Sequence, residues 1–205
     1  MGARAERVRN GLGGHPGVPL ALASLAACAL TALAGCGLLN RPGENERYPA
    51  TYDLREPPAR ADVGMADGDK VVVHETDESR AVTVRLPEGH SLKTDVNLVT
   101  FDTYGAGTGA ERADPTGADM HTARIPLDEA AEVLSASLDQ LGAPDAAVRP
   151  WVDQAKSATG TDDIRSEYVR KRLGYLTMEV QGRYSPMDRR ASVAYTLHWE
   201  PAGPK

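Results

Sequence analysis

Cysteine is nearly absent from this chain. Its 205 residues include two, Cys28 and Cys36, with none from residue 37 onward. That long remainder has no disulfide, no thiol nucleophile and no thiolate metal site, so its core alone must hold it. Charge is missing from one stretch: no Asp, Glu, Lys or Arg occurs between Arg9 and Arg41. Catalytic signatures are missing as well. There is no HExxH and no histidine pair at helical i, i+4 spacing. There is no Gly-x-Ser-x-Gly elbow and no Ser-x-x-Lys pair. The run Gly105-Ala106-Gly107-Thr108-Gly109 lacks a sixth-position glycine, a following helix and the Lys-Ser or Lys-Thr of a phosphate loop, so it reads as a flexible loop.

What is present begins with an address. Arg4, Arg7 and Arg9 form a basic leader, offset only by Glu6, and residues 18–34 are almost wholly Ala, Leu, Val, Ser and Thr. Basic, then apolar, then small is the order of a secretory signal peptide. The apolar run ends in Leu33-Ala34-Gly35-Cys36, which resembles the lipobox of bacterial lipoproteins. The resemblance implies cleavage before Cys36, a diacylglycerol (palmitate-type acyl chains) on the Cys36 sulfur, and residence on the extracytoplasmic face of the cell membrane. Two acyl chains anchor stably where one does so only marginally. Leu25-Ala26-Ala27-Cys28 fits the same pattern. Cleavage there would leave a largely apolar stretch, residues 29–39, on the mature chain, which favours Cys36. Residues 18–39 are also just long enough for a spanning helix, but they are alanine-rich and interrupted by Pro19 and several glycines.

Removing residues 1–35 leaves 20 basic and 28 acidic residues, a net charge of −8. Such a field repels nucleic acid and anionic lipid, so neither is an expected partner. Arginine outnumbers lysine 18 to 5, and Ala, Gly and Pro are plentiful, a bias similar to that of small exported lipoproteins of GC-rich Gram-positive bacteria.

Residues 36–68 read as a flexible tether: prolines, glycines and mixed charge, with apolar residues out of period. About 30 such residues span roughly 30 Å. Asp62, Asp67 and Asp69 at its end have no EF-hand spacing and read as a solvated turn. A globular domain is expected over residues 69–205. Residues 70–76 and 80–86 look like two strands joined by a hairpin at Asp77-Glu78-Ser79. Further strands are expected over 95–101 and 118–125. Leu127, Ala131, Leu134, Leu138 and Leu141 recur at four, three, four and three, one stripe of an amphipathic helix opened by Pro126 and closed by Gly142. A second helix is expected over 145–158, with Trp151 on its inner face. Residues 159–172 fit helix or loop equally. Two long strands, 173–184 and 191–199, close the chain. Strands grouped apart from helices predict α+β: one antiparallel sheet of five or six strands, two helices on one face.

Candidate site residues are few. His74 with Glu75 and His121 lie on predicted strands where they can converge; His198 should face outward. Trp151, Trp199 and Tyr195 either fill the core or line a pocket. No cofactor or metal is implied. The reading is a membrane-anchored binding or accessory domain of the envelope, its partner a protein or small ligand. The alternatives are a cell-wall or extracellular hydrolase using carboxylates, and a lipid carrier with an apolar cavity.

Overall fold

The computed structural model describes residues 49–104 and 113–199. Leu33, Ala34, Gly35, Cys36, the rival Cys28 and the glycine run at 105–109 lie outside the described residues. The architecture is mixed: one eight-stranded sheet and two α-helices. The strands are β1 (Thr51–Asp53), β2 (Val71–Arg85), β3 (Ser91–Asp102), β4 (Gly117–His121), β5 (Ile164–Arg165), β6 (Val169–Leu173), β7 (Leu176–Ser185) and β8 (Arg190–Trp199). The helices are α1 (Leu127–Gln140) and α2 (Val148–Ser157). The sheet order is β1-β2-β3-β4-β8-β7-β5, and β6 also pairs with β7.

Four expectations are corrected. The sheet is larger than five or six strands, because β1, β5 and β6 are too short to carry a readable period. It is not purely antiparallel: β1 runs parallel to β2. Residues 49–68 are not tether, since Tyr52, Leu54, Val63 and Met65 are all buried in the core cluster. The stretch at 77–79 does not turn the chain back either. Glu75 pairs with Leu98 and Arg80 with Val96, so β2 advances five residues while β3 advances two. This is an irregular bulge of three extra residues in a continuous strand, and both predicted strands are halves of β2.

The elements form for local reasons. α1 buries Ala130, Leu134, Ser137 and Leu138 along one stripe, has Asp128 and Glu129 in its first turn, and ends before Gly142 at φ 60°. α2 is capped at Ala147, two residues later than the expected cap at Asp145, with Pro150 inside its first turn. On β8, Ala191, Val193, Tyr195, Leu197 and Trp199 are all buried. Cross-strand register aligns Val99, Met120, Tyr195 and Val180 in one row on that face. The Tyr195 hydroxyl is hydrogen-bonded with Ser137 Oγ of α1 (2.8 Å) and Thr94 Oγ1 of β3 (3.0 Å), tying helix to sheet. Trp199 donates from Nε1 to the Pro115 carbonyl at 2.7 Å. These aromatics are core.

Candidate functional site

The opposite face of the sheet carries most of the expected candidates. Register sets Glu75, Leu98, His121 and Ala194 in one row, so Glu75 and His121 share a face with a leucine between them. His198 lies on that same face, as its alternation requires, across Gly117 from Asp102. A Cβ on Gly117 would stand 3.0 Å from Asp102 Oδ2; the glycine gives the carboxylate room to lie over the strand. Asp102 accepts from the Tyr104 N–H at 2.9 Å, and Asp119 accepts from the Thr196 hydroxyl at 2.7 Å.

Burial and then the Asp119 charge push the Asp102 carboxyl above its ordinary range, against the Tyr104 N–H and the charge of His198. Burial, aided by Arg183, pushes the His121 imidazole down, against Asp119. A carboxyl raised in the folded state binds its proton more tightly there than in the unfolded chain. Stability therefore falls as pH rises from the unfolded carboxyl value, about 3.9, through the folded one. Asp102→Asn, which keeps the acceptor for Tyr104, is expected to be more stable than the parent at pH 7. That advantage should vanish below about pH 3.9. Urea midpoints at the two pH values check this; a parent more stable at pH 7 contradicts it.

His74 does not join these groups. It faces the core, 7 % exposed, with Nε2 3.1 Å from the Val63 carbonyl oxygen. Burial pushes its pKa down, opposed by that carbonyl. His90 Nδ1 lies 3.5 Å from the Gln140 carbonyl oxygen. Asp62 and Asp69 accept backbone N–H groups of Ala59 and Ala66, both at 2.9 Å, as turn caps.

The feature the sequence did not reveal lies at the sheet's edge. A groove of about 660 Å³ runs along β1 and the residues after it, lined by residues 51–58, Asp62 and Val63. Its volume falls among those of ligand sites, roughly 300–1,000 Å³. Glu56 and Pro57 each precede a proline, which favours extended backbone there. Tyr52 and Leu54 point into the core, the Tyr52 ring 5.2 Å from that of Phe101. The ladder to β2 uses alternate residues: Thr83 N–H donates to Ala50 (2.9 Å), and Leu54 N–H donates to Arg85 (2.8 Å). By that alternation the backbone groups of Thr51 and Asp53 point away from β2. Arg55 folds back on Asp53, with Nε–Oδ1 at 2.9 Å and Nη2–Oδ2 at 2.6 Å. Chiefly that side-chain hydrogen bond holds the Asp53 carboxyl down to about 2. Tyr175 reaches across to donate its hydroxyl to the Leu54 carbonyl at 2.7 Å. Burial raises the Tyr175 pKa, and the charges of Asp53 and Glu56 raise it further.

Compared with known protein families, curated proteins and solved structures, the chain matches none.

Proposed function

We propose that this is an extracytoplasmic lipoprotein, held at the cell membrane by a diacylglyceryl thioether on Cys36. Its α+β domain, with helices gathered on one face, acts as a non-enzymatic binding module of the envelope. The address rests on the basic leader, the uncharged apolar run and Leu33-Ala34-Gly35-Cys36. Among the described residues, no helix is long and apolar enough to cross a membrane.

Binding is favoured over hydrolysis by what the polar side chains do. Asp102 accepts from the Tyr104 N–H two residues on, Asp119 accepts from the Thr196 hydroxyl on the adjacent strand, and His74 contacts a core carbonyl. The carrier alternative needs an apolar cavity between sheet and helices, but Leu134, Leu138, Trp151, Met178 and Tyr195 are packed there at 1 % exposure or less. The groove along β1 is the feature that suits a ligand. The address is tested by labelling cells with a fatty-acid analogue. Cys36→Ala is expected to abolish labelling and release the protein from the membrane fraction, and Cys28→Ala to leave both unchanged. The reverse pattern overturns the assignment of Cys36.

A further inference from the structure

We infer that the open edge of β1 is a docking site for an extended, cationic peptide segment of a partner protein, which adds to the sheet as a ninth strand. The inference rests on the binding-module reading and says which surface does the binding and what it takes.

Three observations carry it. The first is backbone chemistry. Thr51 and Asp53 direct their N–H and C=O groups away from β2, and an edge in that state is a template for strand addition. The second is room. The groove runs along that same segment at about 660 Å³, and among the described residues β1 pairs with no strand but β2. The third is charge. The lining holds the carboxylates of Asp53, Glu56 and Asp62 against the single guanidinium of Arg55. Arg55 and Asp53 pair with each other, which leaves Glu56 and Asp62 as the unbalanced charges of the lining. Tyr175, hydrogen-bonded to the Leu54 carbonyl, has its pKa raised chiefly by burial and in lesser part by the charges of Asp53 and Glu56. Extended peptides gain affinity through main-chain bonds and selectivity through alternate side chains. Here the alternate side chains that face the rim should be Lys or Arg.

The test uses full-length protein in detergent and a dye-labelled, end-capped Val-Lys-Val-Lys-Val-Lys peptide read by fluorescence anisotropy. Two control peptides are used, one with Glu in place of Lys and one N-methylated at alternate amides. The Lys peptide is expected to bind at least about tenfold tighter than the Glu peptide at low salt, with the difference shrinking as salt rises. N-methylation should abolish the ladder and the binding with it. Thr51→Pro removes an outward N–H without touching the β2 ladder, the position where an edge strand tolerates proline. It should weaken binding about five- to tenfold. Glu56→Lys, on an exposed side chain, should reverse the preference between the two peptides and serves if Thr51→Pro does not fold.

Equal binding of all three peptides, or none by the Lys peptide, overturns the inference. So does a monomer–dimer shift on Thr51→Pro without peptide binding, which would assign the edge to a second copy of this chain. Retention in the membrane fraction is read separately. A protein that stays anchored but ignores the peptide has lost this inference and kept its address.

Discussion

Trp151→Ala is expected to cost about 3–5 kcal/mol, the range for truncating a large buried aromatic. Folded domains of this size hold about 5–15 kcal/mol in all, so the variant should lose about a fifth of its stability or more. Trp151 is 1 % exposed. Its ring lies on β7 where Gly182 has no side chain: a Cβ there would come within 2.8–2.9 Å of three ring carbons. The indole Nε1 donates to the Ile164 carbonyl of β5 at 3.3 Å, and Ser166 completes the seam by accepting the Gly182 N–H on its hydroxyl at 2.9 Å. One side chain thus fixes α2 on the sheet and ties the short β5 beside β7. At about 2–4 °C per kcal/mol for a chain of this length, Tm should fall by about 6–20 °C. Gly182→Ala should cost about 1–3 kcal/mol by overpacking, and much less once Trp151 is alanine, because the two changes act on one contact. A loss below 1 kcal/mol for Trp151→Ala would mean that α2 is not seated as described.

The second large effect lies in the segment whose composition resembles a linker. Leu54→Ala is expected to cost about 2–5 kcal/mol, whereas the same change in a tether would cost nothing measurable. Leu54 is 2 % exposed, its N–H donates to Arg85 and its carbonyl accepts from Tyr175. Urea denaturation read by circular dichroism checks this. The midpoint should drop while the slope stays unchanged, since a change in midpoint alone is a change in stability. Glu56→Gln, two residues on and exposed, should stay within about 0.5 kcal/mol of the parent. If both variants unfold with the parent's midpoint, β1 does not belong to the core.

What the sequence disclosed follows from how each element is buried. The stripe from Leu127 to Leu141 and the alternation from Ala191 to Trp199 are legible because each element buries one side over ten residues or more. Such burial stamps a period on the sequence. The same reasoning set His198 on the outer face; it left Trp151, Trp199 and Tyr195 between core and pocket, and the structure buries all three. β1 left no such stamp. Three residues with one buried side chain have no period, and their neighbours Pro49, Pro57 and Pro58 resemble a linker. Asp77-Glu78-Ser79 has the polarity of a turn, but a bulge is equally polar. Only the pairing of both halves of β2 with β3 distinguishes them. The groove was hidden for a related reason: the segment that lines it is held by β1 pairing with residues 83–85 and by the hydrogen bond from Tyr175, 121 positions away, to Leu54. No local pattern encodes contacts between segments so far apart.

The address remains the claim on which the biological reading rests, and intact-mass spectrometry of the protein extracted from the membrane fraction tests it most directly. The account expects a mature chain that begins at Cys36 and carries a diacylglyceryl group on its sulfur. A chain that retains residues 1–35 with both thiols free would contradict it.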